Sequence, residues 1–467
     1  MKRFLWLCVI VILFLICTGC GDTFRPVIIP NPPKFPDPRA AHSVVAISDN
    51  NTNGSQSDRG SVTAINVSGD TEVGVADVGL APVHAVQQTA NQVLVVNHSV
   101  TGAIGDSLTR VTFFGTQIAN TNTIALPPDS APNFVASTES GTAYVTLPNF
   151  VPDPINNPGV VVPSLAVVNT ATSTVATIPV GASPVAVVET QDAKKIYVAN
   201  NGDGTISNFN TIDRSPRNQT PIALSSAPLW MVSRSDSQRV YALEANGSLA
   251  TLDTTATAGP DTVTESSVTA AGAKYMVYDG HLNRLYIPSG AGNVPQLAIV
   301  DVSSSQPPAP LVVSIPTVPP SARGAQDPCA ATATTPLNVV SVAVLPDGSR
   351  IYVGSYYVDS ASNICPQVTV INTSSHTIKT ATAVPGFTSL FPSSPPICGT
   401  TAFRFTMAAG GDSSRVYLAS CDAGNVNVVD TSTDTYLLNL KAPASSRPPN
   451  SDNQPPPQNP VWLIAGP

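Results

Sequence analysis

The sequence predicts an all-β protein, a β-propeller of four-stranded blades, and three observations lead there. A unit of about four short strand-like runs returns at a period of roughly 40 to 60 residues, the mark of a propeller among repeat folds. Runs that hold tyrosine between aliphatic residues recur at Tyr144, Tyr197, Tyr241, Tyr286, Tyr352 and Tyr417, with Leu94 and Val45 in the same slot of the first two units. The last run of the chain, Pro460-Val461-Trp462-Leu463-Ile464-Ala465, matches Pro228-Leu229-Trp230-Met231-Val232-Ser233 position for position, and no further unit follows it.

These slots count eight units, and each tyrosine slot marks the second strand of its unit. Seven of them have a first strand ahead, as in PVHAVQQ (82–88), PVAVVET (184–190) and PLWMVSR (228–234). The first unit has only a proline-rich stretch before it. The C-terminal strand is therefore expected to complete blade 1, tying the two chain ends together and removing the open sheet edge. Eight blades is the reading; seven is the alternative, because the first unit is the most diverged.

The unit is clearest between Ser164 and Asn201, where Val167-Val168-Asn169-Thr170-Ala171-Thr172 is followed by Ile178-Pro179-Val180-Gly181 and Tyr197-Val198-Ala199-Asn200. This stretch resembles the YVTN family of bacterial and archaeal β-propeller-repeat proteins. The resemblance implies a propeller outside the cytoplasm. Members share fold more than activity, so it carries over no catalytic residue.

At 467 residues the chain is long for one ordinary domain, yet repeat folds run to this length as a single body. Charged residues are 11% and the net charge is -8, with lysine and arginine scattered. Nucleic acid is not an expected partner, since the basic surface that supplies most of that affinity is missing. A neutral, Ser/Thr/Asn/Pro-rich surface suits an envelope protein.

Lys2-Arg3 and the apolar run Phe4 to Cys17 read as an export signal too short to span a bilayer. It ends in Cys17-Thr18-Gly19-Cys20, small residues before a cysteine, which resembles the bacterial lipobox and would make Cys20 the lipidated first residue. The departure is Cys17, where lipoboxes usually carry an aliphatic residue; plain secretion is the alternative. Gly21 stands where an inner-membrane retention signal has Asp, which points to the outer membrane. Residues 1–19 are thus read as a lipoprotein signal peptide, 20–39 as a tether and 40–467 as the propeller. Six prolines between Pro26 and Pro38 favour extended polyproline II, which at ~3.1 Å per residue reaches roughly 50 Å from the membrane.

Strand order places the loop between strands 2 and 3 on the same face as the loop that joins one blade to the next. That face collects the long segments, 48–60, 98–108, 148–163, 303–336, 355–366 and 386–401, while the opposite face has tight turns such as LPDGSR (345–350). Repeat folds tend to carry insertions on the binding face. Cys329, Cys365, Cys398 and Cys421 all fall on the elaborated face. In an oxidising envelope an even count favours disulfides, and of three connectivities the local one pairs Cys329 with Cys365 and Cys398 with Cys421. Free thiols are the alternative. Phe150, Tyr357, Phe387 and Phe391 are candidate contact residues in the same loops, or small loop anchors.

His84, Phe134, Trp230, Tyr275 and Trp462 stand two residues after the corner of the first strand. They either ring the channel mouth and stack on a ligand or pack between blades, and packing is the simpler reading. His84, Glu189, Arg234 and Arg404 lie on or near first strands and are the channel candidates, with structural roles as the plainer account. No nucleophile elbow, His-Glu-x-x-His, Cys-x-x-Cys or phosphate loop is present. Asp49, Asn51 and Asn53 with Gly54 form half of a calcium loop, but Gly60 occupies the position of its bidentate glutamate, so no metal and no cofactor is expected. The functional expectation is a monomeric, membrane-anchored binding or interaction scaffold of the cell envelope, meeting an envelope protein or a small-molecule ligand. A propeller enzyme such as a lactone hydrolase and a structural surface protein are the alternatives.

Overall fold

The computed structural model describes residues 43–49, 59–98, 105–138, 141–153, 156–157, 159–268, 272–290, 294–304, 309–329, 333, 335–387, 405–441 and 459–466. The expected signal peptide, Cys20, the tether, Asn51, Asn53, Phe391, Cys398 and Arg404 lie outside the described residues. The described chain forms eight four-stranded antiparallel sheets arranged as an eight-bladed propeller.

Seven blades are consecutive runs of four strands, and blade 1 is composite. Its inner strand is Pro460–Ala465, paired antiparallel to Ser43–Ser48, which is followed by Arg59–Asn66 and Thr71–Leu80. Trp462 sits opposite Ile47 and Leu463 opposite Ala46, and bonds from Asp49 N–H to Asn459 O (3.2 Å) and Gly466 N–H to Ser43 O (2.9 Å) extend the pairing past both strand ends. The inner strands of blades 2 to 8 are Pro82–Thr89, Val135–Ala136, Pro184–Glu189, Pro228–Ser233, Val277–Asp279, Asn338–Val344 and Phe405–Ala409.

Burial follows from the radial stacking. A second strand such as Lys195–Asn200 is covered by neighbouring blades on both faces and is buried along its whole length, so its sequence KIYVAN shows no strict alternation. An outer strand such as Thr262–Ser267 is mostly exposed and reads TVTESS. The tyrosines of the repeated slot, including Tyr197, Tyr241, Tyr286, Tyr352 and Tyr417, rank among the largest fully buried side chains.

Those tyrosines also join blades. Tyr197 donates to Asp261 Oδ2 of blade 5 (2.6 Å), Tyr352 to Asp434 of blade 8, and Tyr417 to Asp70 Oδ1 of blade 1 (2.8 Å). Two residues before each stands a cation, Lys195, Arg350 or Arg415, that reaches the same turn; Lys195 Nζ donates to Ala256 O (2.7 Å) and Arg415 Nε to Asp70 Oδ2 (3.0 Å). Where the tyrosine lacks a carboxylate across the gap, the cation acts alone, as in Arg284 to Thr373 O (2.7 Å). Buried polar groups need partners in a core that excludes water, and each staple satisfies one while fixing a blade against the next.

Candidate functional site

The inner strands position one side chain per blade at the channel. In blade 5 the pairing register runs Pro228 opposite Glu244 and then Trp230 opposite Leu243, skipping Leu229. The same one-residue bulge follows Pro82 in blade 2, Pro184 in blade 4 and Val339 in blade 7, and a register shift at the same place marks blade 1. Bulges re-aim the residue after them. Here that residue is Trp462 in blade 1, His84 in blade 2, Ala186 in blade 4, Trp230 in blade 5 and Ser341 in blade 7. Thr406 of blade 8 has the equivalent pairing, opposite Ala419. Phe134 of blade 3 immediately precedes its inner strand, and Tyr275 of blade 6 stands two residues before its own.

The aromatic members of this set meet across the channel. His84 stacks on Phe134 with centroids 3.8 Å apart and lies 4.8 Å from Trp462. Trp230 approaches Phe134 at 4.9 Å and Tyr275 at 5.0 Å, both edge to face, and Tyr275 meets Trp462 at 6.4 Å. Rings from five blades therefore form one cluster at the end of the channel that opens on the elaborated face. The packing expectation holds, since Phe134 and Trp462 belong to buried core clusters against which Trp230 and Tyr275 also pack, and the rings in addition meet one another across the ring of blades. Ala186 leaves room for the larger rings on either side.

His84 is held neutral. Burial lowers its pKa to about 3, and its Nδ1 accepts the Val135 N–H (3.4 Å), so the proton resides on Nε2. Burial pushes the Tyr275 phenol well above its ordinary range. The rest of the ring is hydroxylic: Ser341 and Thr406, from adjacent blades, line a small pocket together with Tyr275, Trp462, Phe405 and Met407.

Two of the channel candidates have other work. Glu189 ends the inner strand of blade 4 on the tight-turn face, buried, where its Oε2 accepts Thr138 N–H (2.8 Å) and Thr138 Oγ1–H (2.6 Å) from blade 3. Arg234 forks onto Asp236 (2.8 and 2.7 Å) and donates to Val302 O of blade 6 (3.0 Å). Both join blades, and neither faces the channel.

On the elaborated face the loop entering blade 7 is sealed onto that blade. Cys329 and Cys365 are disulfide-bonded, linking the entering loop to the hairpin between the blade's second and third strands. Asp359 lies close to both sulfurs, but with the sulfurs bonded to each other the trio offers no thiolate for a metal. Arg323 donates to Val384 O (3.2 Å) and Pro366 O (3.0 Å) and ion-pairs with Asp327 (3.2 Å). Gly386 closes the arrangement: a Cβ there would come within 2.2 Å of Cys329 Sγ. Cys421 is disulfide-bonded as well; Cys398, its partner in the local connectivity, lies outside the described residues.

The loop aromatics do not form an exposed patch. Tyr357 is 1% exposed, because strands Arg350–Val358 and Ile364–Asn372 run nine residues each and carry it into the core under the Arg323 guanidinium, 5.4 Å from its ring. Phe150 and Phe387 pack against core clusters as half-buried anchors. The segment 303–336 is also divided. Strand Leu311–Ser314 lies inside it, so only the part after Ser314 belongs to the elaborated face.

No protein-family model and no curated protein matches this chain. Similar solved structures include AztD from Citrobacter koseri, at 11% identity and a TM-score of 0.57, covering 91% of this chain and 97% of that one. Another is the dihydro-heme d1 dehydrogenase NirN in complex with DHE, at 12% identity and a TM-score of 0.57, covering 94% of this chain and 77% of that one. Both are β-propeller proteins. The likeness is one of fold.

Sequence reasoning found five of the eight channel residues and missed Ala186, Ser341 and Thr406. The signal was available: in register, the channel residue of each blade lies opposite the residue two places after the tyrosine slot, as with Ala199 after Tyr197, Gly354 after Tyr352 and Ala419 after Tyr417.

Proposed function

We propose that this chain is an exported, lipid-anchored binding propeller of the bacterial cell envelope, of the kind its YVTN-like repeat implies, working as a monomer through the channel mouth and the loops around it. The signal-like N-terminus, the lipobox-like Cys20 and the proline-rich tether support the location. The observation that carries the binding role is the channel ring, where one inward residue per blade makes an aromatic and hydroxylic floor on the face that also bears the disulfide-stiffened loop. Rigid aromatics provide contact area at small entropic cost, and stiff loops lose little freedom on binding. The candidate acid and cation, Glu189 and Arg234, are engaged between blades, which favours binding over a hydrolase reading.

The test is recovery of the tethered protein from its native envelope after mild crosslinking, with co-purifying proteins identified by mass spectrometry and light scattering on the purified chain. The expected result is a lipid-modified monomer lost from the membrane fraction in Cys20→Ser, with a stoichiometric companion that Trp230→Ala depletes. Recovery from the soluble fraction in both forms would overturn the anchored reading. A companion equally retained by Trp230→Ala would remove the channel mouth from the interface.

A further inference from the structure

The channel ring changes character at blades 7 and 8. Six of its positions are aromatic or alanine, and the two adjacent ones are Ser341 and Thr406. Ser341 is 2% exposed and Thr406 6%, and neither hydroxyl has a hydrogen-bond partner among the described residues. Buried hydroxyls are ordinarily paired, and an unpaired one is costly in surroundings this apolar. Both line the same pocket, whose other walls include the rings of Tyr275, Trp462 and Phe405 and the thioether of Met407.

Gly354 keeps this corner open. It lies opposite Ser341 in the sheet register, and a Cβ on it would fall 2.4 Å from Ser341 Oγ and 2.5 Å from Met407 Sδ. No carboxylate, lysine, arginine or histidine lines the pocket, so an ionised ligand would lose its hydration without a counter-charge. A hydroxyl both donates and accepts, so the pair suits a neutral amide, carbonyl or alcohol group. The pocket has room for about one water-sized group, which admits a polar tip but no more. A flat apolar body would then rest on the aromatic rings of the channel mouth.

We propose that Ser341 and Thr406 bind the hydrogen-bonding end of a small neutral aromatic compound, whose ring stacks on Trp462 and Tyr275. This deepens the binding reading above and rests on it for the choice of face, but not for location or for any protein companion.

The chain has three tryptophans, of which Trp6 lies in the expected signal peptide and Trp230 and Trp462 both belong to the ring, so the intrinsic fluorescence of the processed protein reports on the site. Benzamide and benzyl alcohol should change that emission saturably, with toluene, benzoate and benzylammonium at least tenfold weaker. Ser341→Ala with Thr406→Val should weaken benzamide by tenfold or more while leaving toluene unchanged, and Gly354→Ala should weaken both neutral probes. Thr406→Val alone, close to isosteric, carries the test should the double variant fail to fold by circular dichroism. Absence of saturable binding by benzamide, equal affinity for toluene, or benzamide binding indifferent to the hydroxyls would each overturn the proposal, leaving Ser341 and Thr406 as the seat of a structural water. A protein companion recovered from the envelope without any probe binding removes this site alone. Probe binding by a chain that proves to be unanchored removes the envelope reading and keeps the site.

Discussion

Tyr417 of blade 8 donates its phenol hydrogen to Asp70 of blade 1 across 347 residues of sequence, Oη to Oδ1 2.8 Å, while Arg415 Nε holds the other carboxylate oxygen at 3.0 Å. Asp70 reaches them from the left-handed region, φ 47, at a turn whose counterpart in blade 8 puts Asp434 at φ 57 to receive Tyr352. The junction where the ring closes thus uses the same staple as an internal junction. The carboxylate keeps each neighbouring tyrosine protonated, with burial as the larger cause. Tyr417→Phe should lower stability by about 1.5–3 kcal/mol, the usual worth of a hydrogen bond to a charged group. A lower urea midpoint at unchanged slope is the expected readout.

Ring closure also depends on the C-terminal strand. Val461, Trp462 and Leu463 are buried against Val44 to Ile47, and Gly466 packs so closely on Val45 that a Cβ would lie 2.5 Å from its Cγ2. At ~1.5–3 kcal/mol for each large apolar side chain, truncation after Pro457 should remove roughly 5 to 8 kcal/mol and expose the sheet edge of Ser43–Ser48. The expected outcome is a collapse of the thermal transition or aggregation on expression. An unchanged melting midpoint would show that blade 1 stands without its inner strand.

The Cys329–Cys365 bridge closes a 36-residue separation, for which loop-closure entropy gives about 3 to 4 kcal/mol. Cys329→Ser with Cys365→Ser should therefore lower stability by that order, with proteolysis starting in the loop that enters blade 7. If Cys398 is the partner of Cys421, the intact mass of the oxidised mature chain is four hydrogens lighter than that of the reduced chain.

Much of this fold can be read from the sequence because its core residues repeat. Tyrosine recurs in one slot, and the strand register then follows by counting. The closing strand was legible because Trp462 repeats the setting of Trp230. The full ring was not legible, because blades 7 and 8 lack both the corner proline and the aromatic residue that draw attention to the other inner strands. Tyr357 reads as a loop residue because second strands elsewhere are six residues long, whereas this one runs on to Val358. In fact the disulfide-anchored loop packs on the hairpin and prolongs both of its strands. Strand order makes Glu189 and Arg234 channel candidates with a structural role as the plainer account, and the structural role holds, because their position along the chain puts them at the opposite end, in the gaps between blades.

The last expectation concerns acid. Unfolded His84 takes up a proton below pH about 6.5, whereas in the native ring burial delays protonation until about pH 3. The unfolded state therefore binds more protons throughout that window, and the linkage slope makes stability fall as the pH is lowered through it, by a ceiling of about 5 kcal/mol. Glu72 acts in the other direction. Burial raises its carboxyl to about 7, so its contribution is present below the ordinary carboxylate range and declines as the pH rises toward 7. That half-exposed group is common to both proteins in a comparison of His84→Phe with the parent, and its effect cancels in the difference. The variant should be less stable at pH 7 by about 1 kcal/mol, since Val135 N–H loses its acceptor, and should overtake the parent as the pH falls toward 4. Urea titrations at pH 7, 5.5 and 4 check this. Parallel losses in the two proteins would mean that His84 is protonated within the native ring, and the stacked, neutral arrangement with Phe134 would have to be abandoned.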